Sequence, residues 1–382
     1  MIIIKIIFWK SAFLIIYSYI FYPLILWIAA KFYKQEDAPV PSVLPKVSIV
    51  IAAYNEEKVI KSRIENCLAL DYPLGNLDIM IVSDGSDDKT NSIVQNFETR
   101  GVRLFGFKER RGKVNVLNET IPRSKHDIIV LSDANTMFAR DAIKKLVRHF
   151  AHPKVGCVCG ALQFINAEGS RTGDLEGFYW KYESMLKKME GARGALLGAN
   201  GAIFAIRKNL FEPCPPDTIV EDFVLPMRIL QKGFRVMYDP WANATEESTK
   251  HIIQEKQRRV RIGAGDYQAL CLLWPMLNPF RGFPAFAFWS HKVLRWLAPF
   301  FLIGAFLTNL ILVHETPYQI FFLLQCIFYG CAIIGQALSW SGIKIKFFNL
   351  CYYFVSMNLA LLLGFIKFVT NTQKVTWKRT ER

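Results

Sequence analysis

Zinc-finger ligand spacings, RRM-type motifs and Arg-rich low-complexity tails are all missing from this 382-residue chain. Its formal net charge of +15 (47 Lys and Arg against 32 Asp and Glu) is therefore not read as a nucleic-acid footprint. The other common meaning of such a balance is an anionic membrane surface. No C-x-x-C occurs among the eight cysteines. Cys157 and Cys159 lie in an apolar run and read as buried packing, and nothing calls for an oxidising compartment. Charge is absent altogether from residues 11–30, SAFLIIYSYIFYPLILWIAA. That length spans a bilayer core. The stretch is too long and too aromatic for a signal peptide, and no small-residue cleavage site follows. A membrane helix is expected within residues 1–34, followed by an extended linker over 35–46 with prolines at 39, 41 and 45.

What is present next is an alternation of strands and helices over residues 47–273. Strands are expected at Val47–Ala53, Ile79–Val82, Val102–Phe107, in the apolar run ending at Asp133, at Val155–Ile165 and at Ile203–Ile206. Helices are expected over Glu56–Leu70, from a Ser86 or Asp87 cap to about Arg100, over 113–121, 140–150, 174–189, 220–231 and 250–273, with Pro226 in the first turn of its helix. This pattern predicts an α/β fold with a mostly parallel sheet covered on both faces. Ligands in such sheets sit at the carboxyl ends of the strands. Asn55-Glu56, Asp84 and Asp133 all fall just past predicted strand ends, so one rim should carry them.

Apolar sequence returns at the C-terminal end. Residues 274–291 are aromatic and broken by proline, which suits an interfacial segment. Within 292–369 three apolar spans follow, near 296–313, 318–340 and 347–366. The 314–317 connection has no Lys or Arg, whereas 341–346 carries Lys344 and Lys346. The positive-inside rule puts the second connection and the 47–273 region in the cytoplasm. The same count puts the tail, 370–382, outside, although Lys374, Lys378, Arg379 and Arg382 make it basic.

The candidate chemistry centres on Asp127–Phe138. Ile128–Leu131 reads as a buried strand that delivers Ser132-Asp133-Ala134-Asn135 at its tip. If the backbone stays extended, Asp133 and Asn135 point to one side and reach one ion or one phosphate. Asp84 either accepts from a uracil imide or ribose hydroxyl, or caps a turn. Arg111-Gly112-Lys113 supplies a tight turn and a cation that either meets phosphate or is solvated. Asp222, after Glu221, is either a helix cap or a base for an acceptor hydroxyl. Arg258, Arg259 and Arg261 either face a membrane surface or neutralise a leaving diphosphate.

Seven stretches are more specific together: VSIVIAAYNEE (47–57), IVSDGSDD (81–88), RGKVNVLN (111–118), IIVLSDANTMF (128–138), GANGAIFAIRK (198–208), VEDFVLPMRILQKGF (220–234) and QRRVRIGAG (257–265). In order and spacing they resemble glycosyltransferase family 2, nearest its membrane-bound polysaccharide synthase branch. The resemblance implies a GT-A domain, a nucleotide-diphospho-sugar transferase fold, flanked by transmembrane helices in the plasma (inner) membrane. It implies inverting transfer from a UDP-sugar to a glycan or lipid-linked acceptor, with membrane lipids and polysaccharide export proteins as partners and no nucleic acid. By the same resemblance Tyr54, Glu56, Asp84, Lys113 and Asp133 bind the nucleotide sugar. Asp133 and Asn135 hold Mg²⁺ or Mn²⁺, and Asp222 is the general base. Glu221, Arg258, Arg261, Asn200 and Gly201 lie at the acceptor and diphosphate. Three positions depart from the pattern: Asn135 for the second Asp, Val220 for Thr and Ile262 for Trp.

Overall fold

The structure is a computed structural model. It describes residues 1–32, 38, 41–165, 175–247, 252–341, 343 and 345–373, with backbone alone at 74, 175–179 and 252–254. Most of the expected linker, the helix start at Asp174, Lys34, Lys344 and the basic residues of the tail lie outside the described residues.

A long N-terminal helix, α1 (Ile2–Ala30), precedes the α/β region. That region runs β1 (Val47–Ala53), α2 (Ile60–Leu68), β2 (Leu77–Asp84), α3 (Thr90–Gln95), β3 (Val102–Phe107), α4 (Lys113–Thr120), β4 (Ile128–Asp133), β5 (Met137–Phe138) and α5 (Ala142–Arg148). It continues with β6 (Val155–Ile165), α6 (Leu175–Ala192), β7 (Phe204–Arg207), α7 (Glu221–Gln231), β8 (Arg235–Glu247) and α8 (Ile252–Leu272). One eight-stranded sheet results, in the order β3-β2-β1-β4-β7-β6-β8-β5.

The sheet is mostly parallel, as the sequence predicts, with β7 and β5 reversed. β3-β2-β1-β4 pair in parallel, and so do β6 and β8. β7 runs antiparallel to β4 and β6, and β5 antiparallel to β8. β1, β2 and β4 are buried on both faces, so β1 reads as a run that is apolar but for Ser48. β8 has no counterpart in the sequence reading. Its RVMYDPWANATEE is polar at alternate positions and contains Pro240, and its register with β6 slips between Gly160 and Ala161.

Other local expectations shift for identifiable reasons. The Asp88 carboxylate, not Ser86 or Asp87, accepts the Thr90 amide at 2.9 Å. Ser86 and Asp87 are engaged with Asn55 instead. Strands β2 and β4 include Asp84 and Asp133 as their last residues, so both carboxylates sit on strand ends rather than beyond them. The backbone does not stay extended to Asn135, because a turn begins at Ala134. Pro226 lies inside α7, not in its first turn.

Past α8 the chain forms short turns, then α9 (Phe283–Trp296) and α10 (Ala298–Leu312), which meet at a 58° bend. α11 (Thr316–Trp340) and α12 (Lys346–Val369) follow. Among the described residues three helices, α1, α11 and α12, are long and apolar enough to cross a membrane, or four if the bent pair is one span. α1 packs beside α10 and α11. Lys5 Nζ meets Glu315 Oε2 at 2.7 Å, and Trp9 Nε1 donates to the Tyr318 hydroxyl at 3.2 Å. At its other end Tyr22 donates to Glu190 of α6 at 2.8 Å, and the same carboxylate meets His291 Nδ1 at 2.6 Å.

α12 runs alongside α8 in the same direction. Arg259 covers the Tyr353 ring at 4.8 Å, and Tyr267 meets Phe365 at 5.1 Å. Between these points Gly263 and Gly364 let the backbones touch: a Cβ on Gly364 would lie 2.7 Å from Ala264 N.

Candidate active site

The first two strand tips lock together before any ligand is considered. Asn55, left-handed at φ 54°, donates Nδ2 to Asp87 Oδ1 at 2.5 Å and accepts the Asp87 amide at 3.0 Å. The Glu56 amide donates to Thr90 Oγ1 at 2.8 Å. Asp84 is almost wholly buried, and its carboxylate accepts the amides of Arg111 (2.6 Å) and Gly112 (2.9 Å). Asp84 thus fixes the turn from which α4 starts, and with it the position of Lys113. The Arg110 guanidinium lies 3.8 Å from the centre of the Tyr54 ring. Tyr54, Glu56 and Asp84 therefore share one rim, as the strand ends require.

Lys113 reaches from that turn to the centre of the site. Its ammonium is 2.7 Å from Asp133 Oδ1 and 2.7 Å from Glu221 Oε1. Burial alone would lower its pKa, but Asp133, Glu221 and Asp222 outweigh burial and hold it charged, above the ordinary lysine value. Gly201 sits among them. A Cβ there would lie 3.3 Å from Asp222 Oδ2, 3.4 Å from Asp133 Oδ2 and 3.5 Å from Lys113 Nζ. Three charged side chains therefore border one small space beside Gly201, which a larger residue would begin to fill.

Burial, reinforced by the neighbouring Glu221 charge, raises the Asp222 carboxyl to about 6; Lys113 and the Gly201 amide pull the other way. Pro226 has no amide to give to the carbonyl four residues before it, which is that of Asp222. The Ala199 amide takes that carbonyl instead, at 2.9 Å. The 198–202 loop is thereby hung from the helix that carries Asp222.

Arg261 joins the cluster from α8. It donates to the Ile219 carbonyl at 3.3 Å, and its pKa is lowered by burial and supported by Glu221 and Asp222. Arg258 does not join it. Its side chain is 44% exposed and meets Glu255 at 3.3 Å. Asn200 turns away from the centre: its amide donates to the Gly160 carbonyl at 3.0 Å and accepts from the Ile203 amide at 3.1 Å. Asn135 follows Asp133 in the turn at 134–135.

One further residue is Arg63, which the sequence reading passed over. It is fully buried and lies behind the β4 tip. It donates to Asn66 Oδ1 at 2.7 Å and to Ser132 Oγ at 3.1 Å, and stacks on Phe138 at 4.1 Å. Ser132, next to Asp133, donates in turn to the Ala202 carbonyl at 2.7 Å. Among the described residues Arg63 has no carboxylate partner, and its Nε is unsatisfied. Its place on the apolar face Ile60-Arg63-Ile64-Cys67 was the available signal.

The mixed sheet, with Asp133 at the tip of β4 and Asp222 at the start of α7, has the GT-A-like fold of glycosyltransferases. Residues 48–213 match the model of the Glycosyl transferase family 2 family, so the chain carries a glycosyltransferase family 2 domain. A poly-β-1,6-N-acetyl-D-glucosamine synthase of Staphylococcus aureus is 27% identical over 272 residues, covering 66% of this chain. The match spans 65% of that relative's length. The Staphylococcus epidermidis synthase is 26% identical over 280 residues, 68% of this chain and 67% of its own. A mannosyltransferase from Pyrobaculum calidifontis, solved with GDP-Man and Mn²⁺, superposes with a TM-score of 0.71 over 96% of this chain and 99% of its own. At 21% identity that likeness establishes the fold.

A buried cation without an ion pair costs stability, and an apolar residue of similar size often restores it. Arg63→Met is therefore expected to keep or raise Tm. It should also lower kcat/KM for the sugar donor by about tenfold, the scale of a charge-assisted hydrogen bond. Unchanged turnover in Arg63→Met would show that the guanidinium does not position the Asp133 tip.

Proposed function

We propose that the chain is an inverting membrane glycosyltransferase that moves a sugar from a UDP-sugar onto a growing polysaccharide or surface glycan. The observation that carries this reading is the meeting of Lys113, Asp133 and Asp222 around Gly201. In this reading Asp222 removes the proton from an acceptor hydroxyl. The freed oxygen attacks the anomeric carbon, and the bond from that carbon to the diphosphate oxygen breaks. Lys113 and Arg261 receive the negative charge that develops on the diphosphate. The resemblance of residues 47–265 to family 2 and the similarity to the staphylococcal synthases support this assignment.

The donor set fits a divalent cation shared with substrate. Among the described residues no group of three His, Cys, Asp or Glu side chains gathers around one point. Asp133, with Asn135 beside it, would supply the protein ligands and the diphosphate oxygens the remainder, the usual arrangement for Mg²⁺ on nucleotides. Bound there, Mg²⁺ or Mn²⁺ would neutralise charge on the diphosphate.

One observation favours a second reading, transfer of a single sugar to a lipid-linked acceptor. Ile262, at the position of the family's Trp, lines a mostly apolar cavity of about 400 Å³ walled by Tyr353, Met357 and Leu361 of α12. Membranes supplied with labelled UDP-sugars and either metal separate the two: long product supports polymerisation, one added sugar the lipid-linked acceptor. In both readings Asp222→Asn should lose about a thousandfold in rate. Asp222 acts as a base only when ionised, so kcat/KM should fall as pH drops through about 6 and level off above it. An Asp222→Asn chain with wild-type UDP release would end the transferase reading.

Asp133 is the one carboxylate of the metal pair. Asp133→Asn should cost about a hundredfold, and Asn135→Ala less than about tenfold. Equal losses would mean the cation is held elsewhere.

We also infer a topology in which α12 lies along the cytoplasmic face instead of crossing. Phe365 of α12 stacks on Phe300 at the start of α10, and the far end of α10 leads to Glu315 beside Lys5. Phe348 of α12 meets Gly335, roughly 28 Å along α11 from that same far side. Both ends of α12 then belong to the side of the catalytic domain. In a chain with Cys271 and Cys326 changed to Ser, Thr372→Cys should react with an impermeant maleimide only when the cytoplasmic face is open. Labelling from the outside would restore α12 as a span.

A further inference from the structure

A second concave site lies away from the catalytic centre, where α7 ends against the turns that follow α8. It is a polar pocket of about 510 Å³, lined by Glu212, Arg228, Gln231, Lys232 and Arg281. Lys232 is paired with Glu212 at 2.9 Å. The two arginines have no carboxylate partner among the described residues. Arg228 donates to the Pro213 carbonyl at 2.9 Å, and Arg281 to the carbonyls of Pro275 (3.0 Å) and Gln231 (2.8 Å). Each bond leaves further guanidinium N–H groups directed at the pocket or solvent, since each guanidinium carries five. Three cations against one carboxylate leave the pocket at about +2, which suits a phosphate with its fork-matched arginines.

The rim says where that phosphate comes from. Trp274 is 68% exposed and Phe280, next to Arg281, is 97% exposed. Large aromatic side chains left bare beside cations match the composition of a bilayer interface, where rings enter the headgroup layer. The segment also leads directly through α9 into α10, which is apolar enough to pair with α9 as a span.

We propose that this pocket binds the phosphate of an anionic membrane lipid, with Arg228 and Arg281 as its ligands and Trp274 and Phe280 inserted beside its acyl chains. The site holds α7, the helix of Asp222, against the membrane surface. It is independent of the donor chemistry, so its failure would leave the transferase reading standing.

The test uses the full chain in nanodiscs of phosphatidylcholine with a minor share of phosphatidylglycerol, followed by native mass spectrometry. The wild type should retain phosphatidylglycerol in preference to phosphatidylcholine. Arg228→Gln with Arg281→Gln should cut that retention by about tenfold, at roughly one surface charge's worth of attraction per arginine. The Lys pair at the same positions, which keeps the charge, should retain much of it and controls for folding. Glu212→Gln, at an exposed position, should raise retention. Equal retention of both lipids, or no change in the Gln pair, would overturn the proposal. So would an equal stabilisation of Tm by inorganic phosphate without lipid, which would assign the arginines to a soluble anion.

Discussion

The site depends on a single buried ammonium. Lys113 lies between Asp133 and Glu221 at 2.7 Å from each, with Asp222 close by. Carboxylates gathered this closely repel one another, and a cation among them offsets that repulsion. Lys113 therefore decides what the others can do. It pairs with Asp133, and it limits how far burial lifts Asp222. It also joins three distant segments of chain: the start of α4, the tip of β4 and the start of α7. Asp84 enters the chemistry through this constraint. By holding the amides of Arg111 and Gly112 it sets where the lysine begins.

A second constraint is covalent. Proline at 226 removes the amide that would close the helical bond to Asp222. In an isolated helix that loss is a defect. Here the orphaned carbonyl accepts from Ala199, so the residue that weakens the helix also attaches the glycine loop to it. Gly201 is then held where a single methyl would meet Asp222, Asp133 and Lys113. Val220, in place of the family's Thr, fits the same picture. It packs against Gly265 of α8, where a side chain would sit 2.8 Å from it. Close packing of α8 on α7 brings Arg261, but not Arg258, to the carboxylates.

Legibility from sequence followed the physics of each element. β1, β3 and β6 were read with their observed bounds: burial on both faces writes β1 and most of β6 as apolar runs, and β3, partly exposed at the sheet edge, is bracketed by Gly101 and the charged residues 108–111. β8 was missed because its polar positions and proline look like a loop until β6 and β5 supply its neighbours. Lys113, Asp133 and Asp222 could be named, since each follows a strand end or opens a helix. Their meeting could not, because it is made by Gly201 and Ala199 across long sequence separations. The inward turn of Asn200 and the outward turn of Arg258 depend on single hydrogen bonds and ion pairs that no spacing rule encodes. Arg63 was hidden for the opposite reason: in a helix an arginine normally reads as solvated, and only its apolar neighbours at i−3, i+1 and i+4 mark it as buried.

The membrane half turns on the relation between α8 and α12. Counting apolar runs makes α12 a span and leaves the basic tail on the wrong side. The glycines at 263 and 364 bring the two backbones together, and Arg259, Tyr267, Tyr353 and Phe365 continue the contact along both helices. α8 carries Arg261 into the catalytic cluster, so whatever lies flush along it shares the level of the catalytic domain. In the proposed topology, an apolar helix pinned in that way would satisfy its hydrophobic surface at the bilayer face and against α10 and α11, without crossing. That topology would let the Lys and Arg counts of the sequence on both sides of α12 obey the positive-inside rule. Apolar length alone does not distinguish a helix that crosses from one that lies along the surface; the close approach to α8 is what supports the second reading.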